Sequence, residues 1–235
     1  MRPDGLILDY GNVLTHAQDQ GWMDAAARRL GADADAFRAA YWEHRHAYDA
    51  DLSAAAYWAR VVAASRPDPG PLLPTDLTWL VEADVASWSV YRDEVWALAA
   101  YFRRTGGRAA FLSNSGPEVM ARVRAHWPLD TRFDAVVISC EVGLSKPDPR
   151  IYQLCLDRLG LRAPETLFVD DRADNVEAPR GSACVLSSSR APTRSRGCAR
   201  WLADRPTWAI LFWAWPEGFR TQRLRGPPNT AIRRC

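Results

Sequence analysis

The stretch Gly5-Leu6-Ile7-Leu8-Asp9-Tyr10-Gly11-Asn12-Val13-Leu14 constrains the fold of this chain more than any other. A short apolar run stops at a carboxylate, and a glycine and an asparagine then loosen the backbone. Such a run reads as a buried strand of a parallel sheet, and open α/β sheets place ligands beyond the carboxyl ends of their strands. Asp9 then projects from a central strand into a crevice. The competing reading, a carboxylate that caps the next turn, uses the same residues. Three later strand ends repeat the pattern with complementary chemistry, which favours a site.

Beyond Leu14 the pattern becomes helical. Trp22 to Leu30, Phe37 to Tyr48, Tyr57 to Ala64 and Leu77 to Trp88 carry apolar residues three and four apart. Gly31 stops the first, and Arg66-Pro67-Asp68-Pro69-Gly70-Pro71 breaks the chain before the last. Residues 17–91 are therefore expected to form an all-helical insertion. Within it, Trp42, His44, Arg45, His46 and Tyr48 are read singly as solvated helix surface, with a substrate-facing wall as the alternative; the two histidines lack zinc-ligand spacing.

From Glu94 onward helix and strand alternate. A helix to Arg104 leads to the strand Arg108 to Leu112, then Ser113-Asn114-Ser115-Gly116 and a helix opened by Pro117. Ala135 to Ile138 is a third strand, and the loop Gly143 to Pro149, holding Lys146, precedes the helix Ile151 to Leu159. Thr166 to Val169 is a fourth, ending in Asp170-Asp171, after which Asp174 and Asn175 open another helix. The alternation predicts a doubly wound parallel, Rossmann-like α/β sheet formed by residues 1–16 and 92–178.

Charge divides the chain. Residues 1–179 hold 19 basic and 26 acidic side chains, whereas residues 180–235 hold 11 arginines against Asp204 and Glu217. Pro179 and Gly181 interrupt the last helix, and only Ala183 to Leu186 reads as a further strand. Residues 179–235 are accordingly expected to be an atypical, poorly ordered tail. A shifted reading frame would explain it and would leave the sheet without a proper edge strand. The tail's arginines and tryptophans form no nucleic-acid module, and no apolar run approaches the roughly 20 residues of a membrane helix. The apolar segment Trp208 to Trp215 is too short for one. Five cysteines without a C-x-x-C pair, and a first strand that begins within a few residues of the start, point to a reduced cytoplasmic setting. A monomer or weak dimer is expected.

Four chemistries arrive in chain order: Asp9, Ser113 with Asn114, Lys146, and Asp170 with Asp171. Lys146 is the only lysine, against 29 arginines. Gathered at one sheet edge, the carboxylates would hold Mg²⁺, a hard ion that takes oxygen ligands. The metal and Lys146 would neutralise a phosphate bonded by Ser113 and backbone amides. Asp9 would attack phosphorus and form an aspartyl-phosphate that water hydrolyses. Each element also has a plain reading: turn formers at Ser113-Asn114, a solvated Lys146, a helix cap at Asp170-Asp171.

Leu8 to Leu14, Leu112-Ser113-Asn114, Lys146-Pro147-Asp148-Pro149 with Ile151-Tyr152, and Val169-Asp170-Asp171 with Asp174-Asn175 together resemble the four motifs of the haloacid dehalogenase superfamily. The resemblance covers residues 1 to about 178, and the helical insertion resembles that superfamily's α-helical cap. It implies that Asp9 is nucleophile and metal ligand, with Gly11 offering its carbonyl and Asp170 and Asp171 their carboxylates to the metal. It places Ser113, Asn114 and Lys146, with the backbone of Gly11 and Asn12, on the phosphate, and Asp174 behind the metal ligands. The substrate expected is a small phosphate ester, with a lean to sugar phosphates.

One departure carries chemistry. Most phosphatases of the superfamily have a second Asp, an acid and base, two residues after the nucleophile; here that position is Gly11. The Gly-Asn pair is similar to bacterial sugar-1-phosphate phosphatases. Loss of a positioned acid typically costs about 10²–10⁴-fold, so esters with good leaving groups are expected to suffer least. Asn12 or His44 is a candidate proton relay in its place. Two alternatives stay open: metal-independent 2-haloacid dehalogenation, for which a doubled carboxylate has little use, and a phosphate-binding protein without turnover.

Overall fold

The computed structural model describes residues 3–67, 70–177 and 184–187. Five parallel strands form one sheet: β1 (Gly5–Leu8), β2 (Arg108–Ser113), β3 (Ala135–Ile138), β4 (Thr166–Asp170) and β5 (Cys184–Ser187), in the order β3-β2-β1-β4-β5. β1 is central, with Leu6 opposite Ala109 on one side and Leu167 on the other. From β1 the chain steps outward to β2 and β3, then returns to β4 and leaves the other way. The switch therefore falls between β1 and β4, where the carboxyl ends of two strands open a crevice.

Side-chain alternation divides the core into two faces. Leu6, Leu8, Phe111 and Val169 pack against α5 (Asp93–Arg104) and α6 (Pro117–His126). Ile7, Ala110, Leu112, Val137 and Phe168 pack against α9 (Pro149–Leu159), through Ile151, Cys155 and Leu159. Pro117 and Pro149 occupy the first turns of their helices, where a missing N–H costs nothing. The single turns α7 (Leu129–Arg132) and α8 (Ser139–Val142) flank β3.

Between β1 and α5 the chain forms α1 (Gly21–Leu30), α2 (Ala34–Ala50), α3 (Ala54–Ser65) and α4 (Pro74–Ser87). Asp33 and Ser53 cap α2 and α3 by accepting from the Ala36 and Ala56 amides. Gly31 ends α1 at φ +62°, a conformation that favours glycine. These helices share an apolar cluster of their own, with Met23, Phe37, Tyr41, Tyr57, Trp58 and Leu80 buried. The two connections to the sheet run side by side: the His16 amide donates to the Val90 carbonyl (2.8 Å), the Arg92 amide to that of Leu14 (2.9 Å), and Thr15 bridges Tyr91 antiparallel.

β5, where the sequence reads a further strand over Ala183 to Leu186, supplies the outer strand and pairs in register with residues 167–170, so the sheet has an edge strand there. The last helix before it, α10 (Ala173–Glu177), is five residues long. The segment 208–215 and the rest of the tail lie outside the described residues. Among the described residues no helix is long and apolar enough to cross a membrane.

Candidate active site

The backbone fixes Asp9 first. Its amide continues the ladder by donating to the Val169 carbonyl (3.0 Å), so the carboxylate stands at the mouth of the β1–β4 crevice. The chain then makes one wide turn, Tyr10–Leu14, in which Asn12 takes φ +58°. Asparagine tolerates this left-handed conformation better than most residues. The turn aims the Asn12 side-chain amide at β4, where Nδ2 donates to Asp171 Oδ2 (2.8 Å).

Lys146 arrives from the loop before α9 and is almost fully buried. Its ammonium donates to Asp9 Oδ1 (2.6 Å), Asp170 Oδ2 (2.7 Å) and the Leu112 carbonyl (3.1 Å). Three donors and three acceptors match. Asn114 holds the loop in place: its Nδ2 donates to the Lys146 carbonyl and its Oδ1 accepts from the Lys146 amide, both at 2.8 Å. Asn114, expected at the phosphate, lines the cavity, and its side chain is committed to positioning Lys146. Ser113, the last residue of β2, is buried one residue behind the wall formed by Asn114 and Ser115.

Asp170 is the most enclosed carboxylate. Oδ1 accepts from the Arg172 amide (2.8 Å) and Asn175 Nδ2 (3.0 Å), and Oδ2 from Lys146 and again Asn175 (3.1 Å). Its four acceptor positions are thereby filled. Asp170, expected to ligate a metal, thus serves first as the anchor of Lys146. The expectation that Asp174 stands behind the ligands is corrected as well. Asp174 is exposed at the rim, and its neighbour Asn175, buried and fixed by the Tyr152 hydroxyl on its carbonyl (2.8 Å), makes that contact. The one-residue difference is the helical turn of α10, which sequence spacing alone does not phase.

Oxygens of Asp9, Asp170 and Asp171 lie within 4.8 Å of one another. Lys146 bonds Asp9 and Asp170, and the half-buried Asp171 bonds Asn12, so within the cluster carboxylates outnumber the lysine. The titration behaviour shows the cost. Burial, opposed by Lys146 and reinforced by Asp170 and Asp171, pushes Asp9 up to about 8, and burial also raises Asp171. The Lys146 ammonium is held above its ordinary range by Asp170 and Asp9, against the opposing effect of burial. A hard divalent cation supplies the missing charge and takes this donor set. The cluster fits such an ion, with Asp9 and Asp171 placed to reach it ahead of Asp170.

A cavity of about 360 Å³ opens over the cluster. Its floor is Asp9, Gly11, Asn12, Asn114, Lys146 and Asp171, and its opposite wall comes from α2 and the end of α4: Trp42, Arg45, His46, Asp49 and Trp88. Two readings of the α2 cluster change here. Arg45 and Tyr48, taken singly as solvated surface, are buried. His44 is half-buried and outside the cavity lining, whereas His46, two residues on, is part of it. Arg45 donates to Asp49 (2.9 Å), to the Tyr41 hydroxyl (2.6 Å) and to both oxygens of Asp84 (3.0 Å). Neither Asp49 nor Trp88 was singled out in the sequence.

Gly11 accounts for its own departure from the phosphatase pattern. Its φ of −63° and ψ of 131° suit any residue, so the backbone does not demand glycine. A Cβ there would stand 3.2 Å from Cζ3 of Trp88. The edge of the indole therefore crowds any side chain at position 11 at its first carbon, and Nε1 fixes the ring by donating to the Tyr41 hydroxyl (3.1 Å).

Fold and site together define a class: a doubly wound α/β protein with a lysine-bridged acidic cluster at its switch point, under an inserted helical unit. Residues 3–182 match the haloacid dehalogenase-like hydrolase family, and the chain belongs to it. Over 88 residues it is 35% identical to (S)-2-haloacid dehalogenase 1 of Pseudomonas sp. (strain CBS-3), covering 37% of this chain and 38% of that one. Over 79 residues it is 39% identical to phosphatase MT3486 of Mycobacterium tuberculosis, 33% and 36% of the two chains. A 51-residue match at 55% identity to mouse acyl-CoA dehydrogenase family member 10 covers 21% of this chain and 5% of that protein. The match to pig bifunctional epoxide hydrolase 2 spans 12% of its length, so these larger relatives share one segment with the chain. A HAD family enzyme of Bacteroides thetaiotaomicron, solved with magnesium and inorganic phosphate, superposes at TM-score 0.64 and 16% identity, over 83% of this chain and 98% of that one. A predicted HAD-like hydrolase of Porphyromonas gingivalis superposes at 0.63 and 19% identity, over 87% and 100%. These two likenesses speak for the fold.

Proposed function

We propose that the protein is a Mg²⁺-dependent phosphomonoester hydrolase with Asp9 as nucleophile and the helices α1–α4 as a cap over the site. The observation that carries this reading is the excess of buried carboxylate. Oxygens of Asp9, Asp170 and Asp171 lie together while only Asp9 and Asp170 share Lys146, an arrangement that is costly without a cation and matched with one. Asp9, Asp171 and the Gly11 carbonyl would hold Mg²⁺, with Asp170 behind, and the ion would supply charge stabilisation at the phosphoryl oxygens. The relative solved with magnesium and phosphate is consistent with that donor set.

In the proposed reaction Asp9 attacks phosphorus and the bond to the leaving-group oxygen breaks. Lys146 neutralises charge beside Asp9, held at its height by Asn114 and Asp170. Water then attacks the phosphorus of the aspartyl-phosphate, restoring the carboxylate and releasing inorganic phosphate. The cap wall excludes bulk water during the first step. With glycine at position 11 and Trp88 against it, no carboxylic acid stands there to protonate the leaving group. Anomeric and acyl phosphates, which leave readily, are accordingly the favoured substrates.

A dehalogenase reading draws on the dehalogenase relative, and Asp171 weighs against it, because a further carboxylate beside Asp9 hinders its attack on a carboxylate-bearing haloacid. The test is a phosphate-release screen over phosphorylated metabolites with native chain and Asp9→Asn, with and without Mg²⁺. The proposal expects release that needs both Asp9 and Mg²⁺. Chloride release from a 2-haloacid in the presence of a chelator, without phosphate release, would replace it.

A further inference from the structure

The Asn12 side chain stands in a costly backbone conformation and spends itself on the far side of the crevice. Among the described residues Asn12 is the one non-glycine with a positive φ, +58°. Glycine would take this left-handed position at no steric cost, so a side chain kept there is held for the contact it makes. The turn is fixed from behind. The Asn12 amide donates to Oγ1 of Thr15 (3.1 Å), a wholly buried residue that bridges Tyr91 where the two connections to the helical unit run side by side.

From this turn Nδ2 reaches Asp171 Oδ2 (2.8 Å) and joins the loop after β1 to the end of β4. The kind of donor matters. Lys146 holds Asp9 and Asp170 with an ammonium that also offsets their charge. A carboxamide holds a carboxylate through a neutral donor and leaves its charge for a cation. The other end of the same amide, Oδ1, is buried and has no hydrogen-bond partner among the described residues. Such an acceptor suits a hydrogen of water, and Mg²⁺ usually keeps several waters. The carboxamide has no titrating proton, so Asn12 holds its neighbour rather than relaying a proton.

We propose that Asn12 is the positioning residue of Asp171, setting that carboxylate across the crevice for a hydrated divalent cation without offsetting its charge. The proposal rests on the metal-dependent hydrolase reading for the ion, and its readout is metal affinity rather than turnover. Mg²⁺ is titrated calorimetrically into the full-length chain without substrate. Asn12→Gly keeps the left-handed turn, deletes the amide, and should bind Mg²⁺ at least about tenfold more weakly. The loss should pass through Asp171, so in an Asp171→Ala chain the same change should cost less than about threefold. An unchanged affinity in Asn12→Gly, or an equal loss in both backgrounds, would overturn the proposal.

The exchange of Asn12→Asp together with Asp171→Asn decides the matter where Asn12→Gly does not fold or Asp171→Ala binds too weakly to compare. It keeps one amide against one carboxylate and moves the charge across the crevice, and aspartate tolerates the left-handed turn. A pair that served the fold alone would keep native Mg²⁺ affinity after the exchange, and that result would overturn the proposal. A loss of at least about tenfold is expected. Native Mg²⁺ binding that Asn12→Gly leaves intact sinks the positioning role alone, whereas a native chain that binds no Mg²⁺ sinks the hydrolase reading and this proposal with it.

Discussion

Replacing Gly11 by Asp isolates the consequence of the missing acid. The backbone at position 11 accepts an L-residue without strain, so the steric cost arises at Trp88, whose Cζ3 lies 3.2 Å from the new Cβ. A further carboxylate beside Asp9 and Asp171 adds like-charge repulsion to it. Ordinary contact begins a few tenths of an ångström farther out, and the carboxylate must then pass the edge of the ring. Overpacking of this kind costs about 1–3 kcal/mol. For a chain of this size that lowers the melting temperature by roughly 2–10 °C. Because the indole crowds a side chain there, Gly11→Asp alone should raise turnover of glycerol phosphate by less than about tenfold. Combined with Trp88→Leu, which opens that space, the same carboxylate should recover a rise on the order of 10²-fold, with little gain for glucose 1-phosphate, whose leaving group needs less help. Phosphate release and thermal melting of the two single variants and the double variant give the cycle. A Gly11→Asp chain that melts like the native one and gains fully on glycerol phosphate would refute the steric argument. So would a double variant no better than its parents.

Three further outcomes follow from the buried charges. Lys146→Met removes the single cation among three carboxylates and should cost about 3–5 kcal/mol in urea unfolding without metal, with Mg²⁺ restoring part of the loss; an unchanged midpoint would mean that the bridge adds nothing. In the metal-free protein, the folded state keeps a proton on Asp9 that the unfolded chain, with its ordinary value of 3.8, has lost. Stability should therefore fall as pH rises from about 4 to 8, by at most about 1.4 kcal/mol per pH unit for each such proton. Mg²⁺ stabilisation should grow over the same window, and metal-free stability that stays flat or rises with pH would contradict a raised Asp9 carboxyl. Asn175→Leu takes donors from both oxygens of Asp170 and should cost about 1.5–3 kcal/mol, whereas Asp174→Ala, at the exposed rim, should stay within about 0.5 kcal/mol.

How far the sequence reaches is visible in particular residues. Apolar runs that end in Asp9, Ser113 and Asp170 announced strands and their carboxyl ends, because a buried parallel strand tolerates polar side chains only at its termini. The helices of residues 21–87 were legible from spacing, from Gly31 and from the breaker Arg66 to Pro71, whereas the caps at Asp33 and Ser53 are seen only in the structure. Which neighbour of a pair faces inward was not legible where the phase is set by a short turn. Asn175 rather than Asp174 follows from the winding of α10 against β4, and on α2 the exposed His46, rather than the half-buried His44, lines the cavity. Arg45 and Tyr48 look like surface in a polar stretch, yet Asp84 of α4, 39 residues further along, pairs with Arg45 inside the helical unit. Trp88 was counted as the end of a helix. Its contact with Gly11 joins residues 77 positions apart, which no local pattern records.

The central claim is that Asp9 becomes transiently phosphorylated. Acid quenching during turnover of acetyl phosphate with Mg²⁺, followed by mass analysis of the peptide containing Asp9, tests it most directly. The account predicts one phosphoryl group on Asp9 that disappears once substrate is spent, and none in Asp9→Asn. An unmodified Asp9 together with native phosphate release from Asp9→Asn would contradict it.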